Sequence, residues 1–278
     1  MNNQVKPDIA AITNVSMGHL DGLRDTESIA KEKGNILNFY NDNGVAVLPK
    51  DSVFFDFWSK KTNAKEIISF GYQKNSDFKV SDIEIDIINN STNFSLRFDG
   101  KKEKFIINGA SRHSPLNAAL SVAIAIYCGC PLSNIKERLK FIDFPERRLA
   151  ISNSLRGSIL IDDSYNSNPA SLKNAVDSLE GLKRKKICIL GDMKELGSDS
   201  QKIHQEMYEY ISERVDQIIC IGDEWSTCSP NEKQDLSIFE NQDDLYSHLI
   251  SIIDKKTILL VKGSRSTRMD LLADKLKE

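Results

Sequence analysis

What most restricts the fold of this chain is a regular alternation in its second half. Short continuous apolar runs are each followed by an amphipathic segment. SILIDD (158–163) precedes PASLKNAVDSLEGL (169–182), and KICILGD (186–192) precedes SQKIHQEMYEYISER (200–214). QIICIG (217–222) precedes DDLYSHLISIID (243–254), and TILLVKG (257–263) precedes MDLLADKLKE (269–278). An apolar run without polar alternation suits a strand buried on both faces, as parallel strands covered by helices are. Consecutive parallel strands require right-handed crossovers. The spacing predicts a doubly wound, Rossmann-like α/β domain over residues 151–278.

The first half is α/β as well, but less regular. IAAIT (9–13), GVAVLP (44–49) and KEIISFGY (65–72) read as strands, with a helix from about Thr26 to Tyr40 after the first. Between 82 and 109, DIEIDII, NFSLRF and KFIIN alternate with period two around the turn-rich NNST and DGKK, which predicts a small antiparallel meander. Ser114-Pro115 opens a helix through NAALSVAIAIY, serine suiting the N-cap and proline the first helical position. It stops at Gly129, and LSNIKERLKFI forms a second, short helix. The polar stretch from Arg147 to Gly157 places the boundary near residue 150, giving domains 1–150 and 151–278.

A net charge of -3 excludes a general nucleic-acid binder, which carries a basic excess. No apolar run reaches the roughly 18–20 residues that span a bilayer, so no membrane partner is expected. The opening MNNQVKPD has no apolar signal-peptide core, and a cytoplasmic location is the expectation. The five cysteines, at 128, 130, 188, 220 and 228, lack the spacing of zinc ligands and are expected to be buried free thiols.

In open α/β sheets ligands bind beyond the carboxyl ends of the strands. Three polar groups obey that rule: Asp162-Asp163-Ser164-Tyr165, Gly191-Asp192-Met193 and Lys262-Gly263-Ser264-Arg265. Singly they could be turn punctuation; together they predict one edge for a charged ligand. On the first helix, Lys33 falls within a stripe formed by Ile29, Ile36, Leu37 and Tyr40, while Lys31 falls opposite. Such a lysine has its charge paired or removed, or it carries its amine out to solvent. His19, in the loop after the first strand, and His113, just before a helix, stand where a ligating or catalytic histidine could reach substrate, or where a structural one caps and packs.

The segments KPDIAAITNVSMGHLDGL, IDDSYNSNPASL, GDMKELG and LVKGSRSTRMDLL, in this order, resemble the Mur ligases of bacterial cell-wall synthesis. The similarity spans nearly the whole chain and favours the branch that joins D-alanyl-D-alanine to UDP-N-acetylmuramoyl-tripeptide. The resemblance implies that residues 1–150 are the remainder of a central ATPase-type α/β domain with a small antiparallel insertion. It implies ATP and Mg2+ as cofactors. Asn14 and His19 match the loop whose histidine helps hold magnesium, and Lys33 matches the lysine that the family carbamoylates to hold a second ion. His113 and Asn117 match an H-N-x-x-N-A segment whose last asparagine contacts adenine, with Ser114 in place of its first asparagine. Arg148 matches the arginine of a G-R-L junction near the nucleotide, Arg147 standing where glycine is usual, and Asp163 matches an aspartate near the ribose. Tyr165, Asn166 and Asn168 belong to the signature of the D-alanyl-D-alanine-adding branch. Asp192, Lys262, Ser264 and Arg265 are its further substrate-side candidates.

No G-x-x-G-K-[ST] phosphate loop occurs in the sequence. In the family that loop precedes the region where this sequence begins. The expectation is therefore a ligase by family that is inactive as this chain alone, with a separate N-terminal fragment as a candidate partner. The alternatives are a non-catalytic or split nucleotide- and dipeptide-binding module, or another amide ligase of the superfamily. A folate-extending ligase would carry D-G-A-H-N-P where this chain has DDSYNSNP.

Overall fold

The apolar runs form parallel strands with both faces covered. In the computed structural model, which describes residues 6–15, 26–39, 43–87, 89–109, 114–142, 146–230 and 236–278, they build two six-stranded sheets. Described residues up to Ile142 form one compact unit and those from Glu146 onward another.

In the first unit β1 (Ile9–Ala11), β2 (Val45–Pro49), β3 (Glu66–Gly71) and β4 (Phe78–Asp86) lie side by side in parallel, and every residue of β2 is buried. β5 (Ser91–Phe98) and β6 (Lys101–Asn108) then continue the same sheet antiparallel. The expected antiparallel meander is present and continues the same sheet, joined to it through Phe70 opposite Phe78 and Gly71 opposite Lys79.

The helix α1 (Thr26–Gly34) is shorter than expected and passes into a 3-10 turn, Asn35–Leu37. Its end is fixed by Trp58 of α2 (Phe55–Lys61), a short helix that the sequence reading missed. The indole NH donates to the Ala30 carbonyl at 2.9 Å, and the ring lies so close to Gly34 that a Cβ there would stand 3.0 Å from it. This change of path undoes the expected stripe. Ile29, Ala30 and Leu37 are buried, but Ile36 is 40% exposed and Lys33 is exposed as well. Tyr40 lies outside the described residues. Helices α3 (Ser114–Tyr127) and α4 (Leu132–Leu139) complete this unit.

The second unit contains β7 (Ala150–Ser154), β8 (Ser158–Asp163), α5 (Pro169–Asp177), β9 (Lys185–Gly191), α6 (Ser200–Ser212), β10 (Gln217–Ile221) and α7 (Asp223–Ser226). It ends with β11 (Leu236–Phe239), α8 (Gln242–Ile252), β12 (Thr257–Lys262) and α9 (Met269–Leu276). The sheet order is β11-β10-β9-β12-β8-β7, parallel except for β7. One face packs α8 and α9 through Leu245, Leu249, Leu272 and Leu276 onto Leu160, Ile187, Ile189, Leu259 and Val261. Alternate positions of the same strands, such as Cys188, Leu190 and Leu260, are also buried and point to the opposite face. The expected boundary near 150 falls inside this unit, because Ala150 already pairs with Asp162 across β7 and β8. Both β7 and β11 escaped the sequence reading. They are edge strands of four or five residues that are only partly buried, so neither carries an apolar run.

Candidate functional site

Returning β12 between β9 and β8 reverses the strand order and brings three strand ends together. At the end of β8, Asp162 is fully buried; one oxygen accepts from Ser164 N at 3.1 Å and Ser164 Oγ at 2.6 Å. Its other oxygen lies 3.1 Å from the Lys277 ammonium. Asp163 uses one oxygen to accept from Leu149 N at 3.1 Å and the other to pair with Lys262. Burial pushes the Asp163 carboxyl up, against the opposing pull of the Lys262 ammonium.

Lys262 is 2% exposed. Besides Asp163 it donates to the carbonyl of Asn166 at 2.9 Å, so its ammonium holds the 163–166 loop from beneath. Asn166 turns its side-chain oxygen back to Ser167 N at 2.9 Å. Asn168 is the N-cap of α5: its side chain accepts from Ser171 N at 2.8 Å, while Ser171 Oγ accepts from Asn168 N at 3.0 Å. With Pro169 at the first helical position, this capping box fixes where the loop becomes helix.

The other two ends are laced to each other. Ser264 N donates to Asp192 O at 3.0 Å, and Lys194 N donates to Ser264 Oγ at 2.8 Å. Asp192 is buried and holds the Lys194 ammonium at 2.9 Å. Gly222 passes so close to the Asp192 carboxylate that no side chain fits there. His204 is buried too. Its Nε2 accepts from Met193 N at 3.1 Å while Nδ1 faces Ser200 O at 2.8 Å, which assigns the proton to Nδ1. Burial holds its pKa below the ordinary value.

These loops frame a cleft of about 520 Å³ lined by Asn166, Ser167, Asn168, Lys194, Glu195, Leu196, Ser264, Arg265, Ser266 and Arg268. Beneath it Asp270, 4% exposed in its side chain, accepts from Arg268 Nε at 3.1 Å and Arg265 at 3.4 Å, and it also pairs with Arg147. Burial works against its ionisation, yet Arg268 and Arg147 hold the Asp270 carboxyl below the usual range.

Of the residues anticipated from sequence, Asn166, Asn168, Ser264 and Arg265 line this cleft. Asp163, Asp192 and Lys262 brace its walls instead. Arg148 and Tyr165 meet beside it, the guanidinium 4.4 Å from the ring centroid, and Tyr165 N donates to Arg147 O at 3.1 Å. In the first unit, Lys33 Nζ donates to the Asn14 carbonyl at 2.9 Å, and Asn117 is exposed on α3. His19 and His113 lie outside the described residues. Among the described residues no group of three or more His, Cys, Asp or Glu gathers as a metal cluster. The Lys33 ammonium is a donor and, so protonated, holds no metal ion. Cys188, Cys220 and Cys228 are buried, but Cys128 and Cys130 are exposed, since they flank Gly129 in the turn that ends α3. No described helix is long and apolar enough to cross a membrane.

Sequence reasoning missed Lys194, Glu195, Arg268 and Asp270. The first two lie inside the quoted GDMKELG, and Arg268 and Asp270 inside GSRSTRMD. The signal was the same strand-end rule, continued one or two residues past Met193 and three to five past Arg265.

Comparison with known proteins agrees with this arrangement. Residues 1–125 match the Mur ligase middle domain, and residues 147–265 match the Mur ligase glutamate ligase domain. A UDP-N-acetylmuramoyl-tripeptide–D-alanyl-D-alanine ligase of Buchnera aphidicola subsp. Baizongia pistaciae is 30% identical over 98% of this chain and 59% of its own length. The enzyme of the same name from the Acyrthosiphon pisum subspecies is 32% identical over 100% of this chain and 62% of its own. The crystal structure of MurF from Acinetobacter baumannii superposes with a TM-score of 0.85 at 28% identity, over 98% of this chain and 60% of that one. The chain thus spans about three fifths of the length of the relatives it matches. Two Mur ligase domains in succession, with relatives matched along nearly the whole chain, place it in the Mur ligase family.

Proposed function

We propose that this chain supplies the middle and C-terminal parts of an ATP-dependent ligase that joins D-alanyl-D-alanine to UDP-N-acetylmuramoyl-tripeptide. The observation that carries the reading is the DDSYNSNP loop. It is held from below by Lys262, capped by Asn168 and set on the wall of a cleft rich in cations. The relatives matched over nearly the whole chain carry that name.

In the proposed reaction the tripeptide carboxylate attacks the γ-phosphorus of ATP, the bond to the bridging oxygen breaks, and ADP leaves. The dipeptide amine then attacks the acyl phosphate, loses a proton, and expels inorganic phosphate as the amide forms. Little covalent chemistry falls to protein groups in such a sequence; positioning and charge neutralisation dominate. Asn117 is the proposed adenine contact, and Arg148, steadied on Tyr165, is the cation offered to the nucleotide. Asp163 has both oxygens engaged, so its proposed role is to hold Lys262 and the 149 segment in place. Magnesium accompanies the nucleotide; Lys33 as a carbamate, and His19, are the residues of this chain that would hold it.

The test is ligation. The chain is combined with a separately expressed N-terminal part of a related ligase, and the UDP-linked pentapeptide is followed by mass spectrometry. Product is expected only from the combination. Lys33→Ala should abolish most of it, whereas Lys31→Ala, which removes a lysine paired loosely with Glu27, should not. Equal losses from the two variants would remove the carbamate assignment. A combination that binds ATP and dipeptide yet never forms product would favour a binding module.

A further inference from the structure

Two of the five thiols stand apart from the others. Cys188, Cys220 and Cys228 are buried, whereas Cys128 and Cys130 are both exposed and free. The exposed pair flanks Gly129 in the joint between α3 and α4 of the first unit. That joint is a Schellman turn. Gly129 N donates to Ile126 O and Cys130 N to Ala125 O, each at 2.9 Å, and Gly129 takes the left-handed conformation, φ 80°, that such a closure needs. Cys128 N still completes the helix by donating to Ile124 O at 2.9 Å.

The far side of the pair is fixed as well. Pro131, with φ -60°, is the N-cap of α4, and its carbonyl accepts from Asn134 N at 3.0 Å and Ile135 N at 3.2 Å. A residue that precedes proline is confined to extended conformations, which restricts Cys130. The backbone carrying the two sulfurs is thus pinned at both ends, while the exposed side chains keep their rotamer freedom. Two residues of chain span at most about 7 Å even when extended, and a turn shortens that span. A disulfide bridges Cα atoms about 4.4–6.8 Å apart, so the spacing permits a bond between the pair. A Cβ built on Gly129 would meet nothing within 4 Å, so the turn between the sulfurs is open to an incoming molecule.

Among the described residues no third His, Cys, Asp or Glu joins the pair as a metal group, which leaves it the chemistry of sulfur with sulfur. We propose that Cys128 and Cys130 form a reversible dithiol–disulfide couple that exchanges with small disulfides of the glutathione class. One cysteine thiolate attacks a sulfur of the small disulfide; that S–S bond breaks, and one small thiolate leaves. The second cysteine thiolate then attacks the cysteine sulfur of the mixed disulfide and expels the other small thiolate. Both cysteine sulfurs end oxidised and joined, and the two protons they lost end on the two small thiols. An exposed bridge closed over a single residue belongs to the labile kind that the surrounding thiol pool can reduce again. Oxidation clamps the joint between α3 and α4, and reduction releases it.

The test is peptide mapping after oxidation of the full 278-residue chain. The chain, at low micromolar concentration, is treated with oxidised glutathione, its remaining thiols are alkylated, and the products are weighed. Release of glutathione counts two equivalents whether a ring or two adducts form, so mass is the readout. Tryptic cleavage after Arg112 and Lys136 leaves Cys128 and Cys130 in one peptide with no other cysteine. That peptide is expected to be lighter by two hydrogens, to carry no glutathione, and to regain both hydrogens with dithiothreitol. A second thiol on so short a tether acts at an effective concentration in the millimolar range, so at about 0.1 mM oxidised glutathione the ring should exceed the double adduct by about tenfold or more.

Cys128→Ser and Cys130→Ser, both at exposed positions, should each stop at the mixed disulfide and accumulate one glutathione on the thiol that remains. Peptides holding Cys188, Cys220 and Cys228 should stay unmodified in every sample. Two stable adducts on the unmodified chain would overturn the couple, because they show that the sulfurs do not meet. A disulfide-linked dimer in place of the ring would overturn it too. So would a pair that stays fully reduced, whether or not the single variants take up glutathione.

Discussion

Replacing Lys262 with methionine tests whether the DDSYNSNP loop is held by charge. Methionine keeps an unbranched chain of similar length but removes the ammonium that pairs with Asp163 and bonds Asn166 O at 2.9 Å. Asp163, 13% exposed in its side chain, would keep one donor, Leu149 N. Removing one partner of a buried ion pair costs about 3–5 kcal/mol. That cost has a ceiling, because the orphaned carboxylate can take up a proton. Against an unfolded pKa of about 3.9, protonation costs about 4 kcal/mol at pH 7 and about 1.5 kcal/mol at pH 5. The expected loss in the second unit is therefore about 3 kcal/mol at pH 7 and about half that at pH 5. The sign follows from a carboxyl whose folded pKa is raised. The penalty is absent below the unfolded pKa, grows as pH rises, and levels off above the folded value.

Adding Asp163→Asn should remove the pH dependence and recover most of the loss. Hydrogen exchange resolved by peptide over β8, β9 and β12 measures it, with peptides of the first unit as an internal reference. A loss below about 1 kcal/mol at pH 7, or equal losses at the two pH values, would refute the reasoning.

Other consequences can be measured alongside. His204 has a depressed folded pKa, so its contribution is fully present above about pH 6.5 and is lost as pH falls toward the folded value, at up to about 1.4 kcal/mol per pH unit. Urea titrations read by Trp225 fluorescence in a Trp58→Phe background should show that slope, and His204→Gln should flatten it. Arg147, at φ 64°, is expected to invert the usual order of substitutions: Arg147→Gly should be more stable than Arg147→Ala by about 1 kcal/mol in thermal melts, though both lose the pairs to Asp270 and Asp274. An aromatic disulfide reagent at pH 8 should label Cys128 and Cys130 rapidly. Cys188, pushed up to about 12 by burial, and Cys228, pushed up to about 11, should react only on unfolding, as should Cys220. More than two fast thiols would contradict the burial of Cys188, Cys220 and Cys228.

The legible parts of the fold were those with one dominant physical cause. Each β strand buried on both faces announced itself as an uninterrupted apolar run, and β2 and β12 are indeed buried at every position. The strand-end rule then located the cleft, because parallel topology leaves one edge of the sheet for ligands. Edge strands gave no such signal. Leu236–Phe239 has one exposed and three half-buried residues, and a four-residue segment of that kind looks like loop. The end of α1 was hidden for a different reason. It depends on an indole from Trp58, 24 residues beyond Gly34, and no pattern local to the helix contains that information.

Side-chain partnership was the least legible level, and it decides what the charged residues do. Lys262 ends β12 and Arg268 lies six residues beyond it on the loop that follows, and charge alone does not separate them. Burial does. At 2% exposure Lys262 can keep its charge only by saturating it within the protein, which makes it a brace. Arg268, at 55% exposure, gives only Nε to the buried Asp270 carboxylate and lines the cleft with the rest of its head group. Lys33 shows the same dependence in reverse. The helical stripe left a paired charge and an amine carried to solvent both open; with the helix ending at Gly34 the residue is exposed and reaches the Asn14 carbonyl at 2.9 Å. Any chemistry assigned to Lys33 must therefore follow from its position beside the loop after β1 and not from desolvation. Its reactivity toward carbon dioxide would then depend on whatever anchors the resulting anion, so carbamate formation at Lys33 should require a cation in solution and should not occur in the chain alone. Carbon-13 spectra in labelled bicarbonate, taken with and without magnesium, decide it: a carbamate signal without the metal would return the argument to burial.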